Sequence, residues 1–288
     1  MKNKPNLKKT ACRICTISKN LVIQLYVLIF ARPFMQKINT LIMQLSFRGA
    51  GYNNCCDEKI TGEINFLKII SKFKPSICID IGANKGYYTK LLLAWTDANV
   101  IAFEPLPNAF KQLAKLQNTP PRRLVAVNEA LGNKIEVKEL HFGNRDSELA
   151  SFVDEANVID SVGNTNVNSL KVKVNTLDNY INKHYDCKRK TIDLIKIDVE
   201  GFEFDVLLGA KGTIKKMRPK FIQIEYNWHH LFRSHSLHDI SQLLPEYKIY
   251  QLLPYGNGFI ERDPKRPESN IYHYANFIFV RNDISINT

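Results

Sequence analysis

Ile77-Cys78-Ile79-Asp80-Ile81-Gly82-Ala83-Asn84-Lys85-Gly86-Tyr87-Tyr88-Thr89 decides the fold. A short apolar run carrying one acid leads straight into a glycine, and a second glycine opens a run with helical spacing. The pattern predicts a buried strand over 77–81, a tight turn, and a helix from Tyr87 to Trp95. Gly82 lets the turn adopt angles closed to residues with a Cβ and lets a ligand lie against bare main chain. Amide groups at the helix start then face that ligand.

The acid narrows the ligand. Dinucleotide folds space their glycines G-x-G-x-x-G so that a pyrophosphate sits on the helix N-terminus. Here Gly82-x-x-x-Gly86 follows Asp80, whose carboxylate repels phosphate and suits a ligand with a positive or zwitterionic end. Val100-Ile101-Ala102-Phe103-Glu104-Pro105 is a second apolar strand ending in an acid. A carboxylate at that place, about twenty residues downstream, accepts hydrogen bonds from a ribose diol. Together the two acids favour S-adenosylmethionine over NAD.

Seven stretches resemble the FkbM-type methyltransferases: 80–89 (DIGANKGYYT), 102–110, 127–133, 176–181, 192–211 (IDLIKIDVEGFEFDVLLGAK), 221–227 and 274–280. They fall in the family's order, and the VEGFE block is the most specific. The resemblance implies a class I, Rossmann-like fold, α/β with a mostly parallel sheet and helices on both faces. It also implies an S-adenosylmethionine-dependent O-methyltransferase whose acceptor is a hydroxyl of a sugar, glycan or related natural product. Contacts to adenine fall at Asn128, Glu129 and Ala130 by the same resemblance.

The formal charge of +12 suggests nucleic acid until it is mapped. Residues 1–60 hold ten Lys and Arg against Asp57 and Glu58, which leaves the remainder at only +4. A phosphate-binding face needs clustered positive charge where substrate docks, so an RNA methyltransferase is the alternative rather than the expectation. A non-catalytic nucleotide-binding module is a second alternative. Cys12 and Cys15, adjacent Cys55 and Cys56, and the isolated Cys78 and Cys187 make neither a disulfide framework nor a paired zinc motif. They read as reduced thiols of a cytosolic protein.

Residues 1–59 read as a basic, helical extension and 60–288 as the catalytic domain. The first twenty residues carry six basic charges among polar types and are expected to be partly disordered. Leu21 to Ala31 is apolar except for Gln24, but eleven helical residues cover about 16 Å, short of a bilayer core. A cleaved signal peptide is not the favoured reading. Phe34, Ile38, Leu41, Ile42 and Leu45 share one face of a following helix. Two readings of residues 1–47 stay open: a hairpin packed on the body, or a basic anchor making peripheral contact with an anionic membrane. From Ile60 strands alternate with helices, giving a parallel sheet. The alternation lapses over 134–175, where two short strands flank a polar stretch, Gly143 to Ser169, read as a lid.

Four acids end strands: Asp80, Glu104, Asp198 and Glu225. In an open α/β sheet, ligands lie beyond the carboxyl ends of the strands. Gly82, Asn84 and Gly86 are assigned to the methionine end of the donor, with Asp80 near its ammonium directly or through water, and Glu104 to the ribose. Methyl transfer to oxygen needs alignment and a base. Asp198 ranks first as that base and Glu200 second, with Lys196 or a nearby His polarising the acceptor. A rival reading has Asp198 and Glu200 holding a divalent cation, with no metal site assigned. His229, His230, His235 and His238 read by default as exposed loop residues. Glu225, Trp228 and His229 form the acceptor-side set, with Tyr226 stacking on a flat face and Arg233 binding an acidic group.

Overall fold

The computed structural model describes residues 20–54, 58–120, 122–142, 150–152, 168–185 and 191–286. The chain divides into two units, Met1–Ala50 and Gly51–Thr288. That division lies ahead of the 59/60 boundary expected from composition.

In the first unit α1 (Asn20–Phe30) and α2 (Gln36–Gly49) are joined by a 3-10 turn, Pro33–Met35. Pro33 fits the first position of a helical turn because it has no N–H to lose. The two helical segments are bent by 102° at the break, and among the described residues no single helix is long and apolar enough to cross a membrane. The expectation for the first nineteen residues lies outside the described residues.

The second unit opens with α3 (Glu58–Thr61) and α4 (Glu63–Lys72), whose Phe66, Leu67 and Ile70 are buried. There follow β1 (Ile77–Ile81), α5 (Tyr87–Trp95), β2 (Asn99–Phe103), α6 (Pro107–Lys115) and β3 (Leu124–Val127). Next come β4 (Ala130–Leu131), β5 (Glu136–Phe142), β6 (Asn168–Asn175) and α7 (Leu177–His184). The chain continues through β7 (Leu194–Ile197), α8 (Glu203–Leu208), α9 (Lys211–Met217), β8 (Phe221–Tyr226) and α10 (His229–Phe232). It closes with α11 (Leu237–Leu243), β9 (Tyr247–Leu252), β10 (Phe259–Arg262) and β11 (Ala275–Arg281).

The main sheet runs β10-β9-β11-β8-β7-β1-β2-β3. From β3 to β8 the strands are parallel, and β11 alone inserts antiparallel between β8 and β9 before β10 pairs back on β9. Every residue of β1 and β7 is buried, as expected of strands covered by helices on both faces. Phe66 meets Phe221 and Phe259 edge-on at 5.7 and 6.4 Å, tying α4 to the sheet. Burying one such ring contributes about 1.5–3 kcal/mol.

β5 and β6 form an antiparallel pair in register Glu136↔Val174 through Phe142↔Asn168, and β4 joins β6 in parallel. The expected lid, 143–169, lies mostly outside the described residues. Of its described residues, 168 and 169 belong to β6, and Ala150–Phe152 returns to β5 through mutual His141–Ser151 backbone bonds of 3.0 and 2.9 Å. Of the cysteines only Cys78 is described: it is buried within β1, and burial pushes its thiol upward, as suits an inert core residue. The others, Cys12, Cys15, Cys55, Cys56 and Cys187, lie outside the described residues.

Candidate active site

Because β1, β2, β3, β7 and β8 are parallel, their carboxyl ends lie along one edge of the sheet, and the acids that end them converge there. The turn after β1 is left-handed at Gly82 (φ 81°), Asn84 (φ 48°) and Gly86 (φ 84°). Gly82 and Ala83 donate backbone hydrogen bonds to the Phe103 carbonyl at 3.0 and 2.9 Å, fixing the turn to β2. What the missing Cβ of Gly82 makes room for is the main chain after β7: a Cβ would lie 1.7 Å from the Asp198 carbonyl oxygen. A Cβ at Gly86 would meet the Leu113 and Leu116 methyls at 2.8 and 2.7 Å, so Gly86 serves helix packing.

Glu104 is buried and accepts N–H bonds from Asn84 at 2.8 Å and Leu106 at 2.7 Å. Burial pushes its carboxyl up to about 7, against the pull of those two amides. A cavity of about 550 Å³ passes over Gly82, Asn84, Glu104 and Ala130 to Asp198, Glu200, Glu225 and Trp228. Asn128 does not line it. Its side-chain amide donates to the Glu104 and Pro105 carbonyls at 2.8 and 3.0 Å, so it shapes the wall from behind.

Asp80 is fully buried, lines neither this cavity nor the one beside it, and accepts the Thr89 hydroxyl at 2.6 Å. Burial raises its pKa, opposed by Lys196, its neighbour in the β1–β7 register. Lys196 contacts Asp198 at 2.7 Å and lies 4.8 Å over the Tyr88 ring. Burial alone would lower the Lys196 pKa, but Asp198, Asp80 and Glu63 together raise it, so the ammonium stays charged.

Asp198, Glu200 and Glu225 bring one carboxylate oxygen each within 4.8 Å of one another. Asn227 spans two of them, donating to Glu200 at 2.9 Å and Glu225 at 3.2 Å. Burial and the charges of Asp198 and Glu200 hold Glu225 well above the usual carboxylate range. Tyr274 lines the same cavity, and it also lines the one beside it together with Glu63, which accepts from Gln223 at 2.8 Å.

The histidines differ from expectation. His229 and His230 are buried, because the short α10 folds them back onto the VEGFE turn. His229 Nδ1 sits 2.9 Å from Glu200, and His230 Nε2 sits 3.0 Å from Glu203 with both side chains sealed from solvent. His235 stacks on Phe204 at 4.0 Å. Tyr226 is fully buried against Phe277 and Tyr272, so it presents no face to a ligand. Arg233 is held by Asp205 at 2.7 Å and does not line the cavity. Of the expected acceptor side, Glu225 and Trp228 line the cavity, while His229 supports Glu200 from behind.

Glu203 was missed as a site-building residue although it lies in the quoted block, since nothing local marks its partner 27 residues away. Burial pushes its carboxyl up, but His230 and the Val199 N–H outweigh that and leave it lowered. A lowered folded value contributes stability above the unfolded value of 4.5 that is lost as pH falls through the folded one. Glu203→Gln keeps the shape and loses the charged partner that faces His230. It is expected to lower unfolding free energy by about 2 kcal/mol at neutral pH, measured by urea titration; an unchanged midpoint would show the pair to be dispensable.

S-adenosylmethionine fits these residues. Glu104 uses two of about four lone-pair sites and keeps the others for a diol. Asn84 Oδ1 is a buried acceptor without a partner in the cavity wall, as a ligand N–H would require.

Comparison with known proteins agrees. A family model described as Methyltransferase FkbM domain matches residues 80–251. The 2-O-methyltransferase NoeI of Sinorhizobium fredii (strain NBRC 101917 / NGR234) is 26% identical over 199 residues, covering 66% of this chain and 79% of that protein. A crystal structure of Methyltransferase FkbM from Methylobacillus flagellatus superposes with a TM-score of 0.43 at 17% identity, over 72% of this chain and 44% of that one. The O-methyltransferase TomG from Streptomyces achromogenes gives a TM-score of 0.41 at 9% identity, over 76% of this chain and 79% of that one. With the model matched over more than half its length, this chain belongs to the FkbM family of S-adenosylmethionine-dependent methyltransferases.

Proposed function

We propose that this methyltransferase acts on a hydroxyl of a sugar or glycan. The observation that carries the reading is one continuous cavity joining the Asn84–Glu104 end to Asp198, Glu225 and Trp228. A relative named as a 2-O-methyltransferase supports oxygen as the accepting atom. Asn84, Glu104 and Ala130 would hold the donor, with Asp80 reinforcing the turn from beneath. Bound there, S-adenosylmethionine supplies an electrophilic sulfonium methyl.

The protein's part is alignment and proton removal. Asp198 takes the hydroxyl proton as the new O–C bond forms and the S–C bond breaks. Lys196, buried at 2.7 Å, fixes the orientation of that carboxylate. Glu225, held in place by Asn227, offers a carboxyl group to neighbouring hydroxyls, and the Trp228 ring gives a flat apolar face of the kind sugars stack on. A peripheral membrane contact through residues 1–47 belongs to the same reading, since lipid-carried glycans are met at that surface. One observation favours a second reading of the carboxylates: three oxygens within 4.8 Å suit a divalent cation.

Incubation with methyl-labelled donor and a panel of glycans, read by mass spectrometry, tests the proposal. Label on a carbohydrate oxygen supports it, while label on RNA alone overturns it. Trp228→Ala is expected to raise acceptor KM by about tenfold with donor KM unchanged; equal effects on both would remove Trp228 from the acceptor side.

Glu104 gives a pH prediction. Its folded value of about 7 exceeds the ordinary 4.5, so this group's contribution to stability is largest in acid and declines as pH rises between those values. Donor binding has the opposite sign, because a diol hydrogen-bonds best to the ionised carboxylate. Donor affinity is expected to fall by roughly tenfold per pH unit once pH drops well below that value. Calorimetry across that range checks it, and a flat profile for wild type would detach Glu104 from the donor.

A further inference from the structure

The N-terminal unit carries more exposed apolar surface than a water-soluble helix pair tolerates. Leu21, Val22, Leu25, Val27, Leu28 and Ile29 of α1 are each more than half exposed, and α2 has no buried residue. On α2, Ile38, Leu41, Ile42 and Leu45 form an exposed apolar face. The corner between the helices is polar but internally satisfied. Tyr26 donates to Asn39 Oδ1 at 2.6 Å, Asn39 donates to the Phe30 carbonyl at 2.9 Å, and Arg32 donates to the Leu28 carbonyl at 3.3 Å. Backbone groups that find such partners are the ones a low-polarity medium accepts.

Charge indicates what covers this surface. Up to residue 56 the chain holds nine Lys and Arg and no Asp or Glu. Lys19 and Arg32 flank α1 on its two sides. We propose that α1 and α2 insert together into one leaflet of an anionic bilayer and lie in its plane as an L.

Length and charge select that orientation. α1 covers about 16 Å, roughly half a hydrocarbon core of about 30 Å. A cation at each end keeps both ends at the headgroups, because long basic side chains reach outward only near the interface. A bend of 102° prevents α1 and α2 from adding their lengths as one rod. The in-plane arrangement lets the α1 side chains and the apolar α2 face sink together, with Lys37 and Arg48 left at the phosphates. This inference rests on the membrane-contact reading above and adds insertion and depth to it.

The test uses the full chain with Leu25→Trp and vesicles of phosphatidylglycerol and phosphatidylcholine carrying brominated acyl chains. Flotation with anionic vesicles is expected, falling by about tenfold or more with phosphatidylcholine alone. Trp quenching beyond that of wild type is expected, stronger for bromine near the headgroup end than near the chain end. A second variant, Leu25→Asp with Leu28→Asp, should lose flotation while S-adenosylmethionine binding by calorimetry is unchanged. Flotation without added quenching would overturn insertion while the surface-contact reading survives. Stronger quenching from the chain end would show a crossing segment and also overturn it. Failure to float with anionic vesicles would sink both, as would lipid-independent oligomers abolished by the double variant, which would give this face to a second copy.

Discussion

Asp198→Asn is expected to lower kcat by about 10²–10⁴ while donor affinity changes little. The amide keeps the size of the carboxylate and can still face Lys196, which contacts Asp198 at 2.7 Å, but it cannot take a proton from an acceptor hydroxyl. Lys196 remains charged through Asp80 and Glu63, so the buried ammonium is not orphaned by the change. Single-turnover measurement at saturating donor and acceptor isolates the chemical step, and a kcat within a few-fold of wild type would remove Asp198 as the base. The same assay separates a base from a metal ligand. With Asp198 as base, wild-type activity survives EDTA; activity lost to EDTA and restored by Mg²⁺ would make Asp198, Glu200 and Glu225 a cation site.

The other large effect is expected at Gly82→Ala, and it acts on fold and site together. The new Cβ would stand 1.7 Å from the Asp198 carbonyl oxygen, 2.8 Å from its carbon and 3.2 Å from a Val199 methyl. Two of those atoms are main chain at the end of a central strand, which has no rotamer to change. The φ of 81° adds a left-handed penalty. Overpacking of about 1–3 kcal/mol and about 1–2 kcal/mol for the left-handed residue give an expected loss of roughly 2–5 kcal/mol. Whatever relaxation occurs must push the ends of β1 and β7 apart, carrying Asp198 away from the donor turn, so donor binding should fail even where the protein folds. Urea unfolding with calorimetry on the folded fraction measures both. Gly86→Ala is the control: it carries the same left-handed penalty at φ 84°, but its close contacts are the methyl ends of Leu113 and Leu116, which can turn aside. Equal effects at the two glycines would refute the argument from close approach.

The acids that end strands were legible because a parallel sheet fixes which strand ends share an edge. Once 77–81, 98–104 and 192–198 read as buried parallel strands, Asp80, Glu104 and Asp198 had to lie on one side of the molecule. Glu104, Asp198 and Glu225 line the cavity as that rule requires. The rule does not say how far each side chain reaches. Asp80 lies within β1 rather than beyond it, so its carboxyl is enclosed among Thr89 and Lys196. Gly82 does line the cavity, and its missing Cβ also makes room for another strand end, which local pattern does not show.

The histidines failed for a different reason. A run of polar and aromatic residues after β8 has no periodicity that separates an exposed loop from a turn folded inward. The buried partners of His229 and His230 come from the turn after β7, through pairs of 2.9 and 3.0 Å. Glu63 gave no signal either: it opens α4, yet a bond from Gln223 of β8 holds it at the cavity beside the site.

Taken alone, the sequence determined the alternation of the central strands and helices, the parallel core, the donor class and the strand ends at which chemistry gathers. Each of those follows from local periodicity, from glycine at a turn, or from an acid where an apolar run stops. Tertiary structure decided which of those acids face the cavity, that Asn227 joins Glu200 to Glu225, and that two histidines are braces rather than surface. Those are contacts between residues distant along the chain, made by packing α10 and the β7 turn against each other, and local pattern carries no record of them.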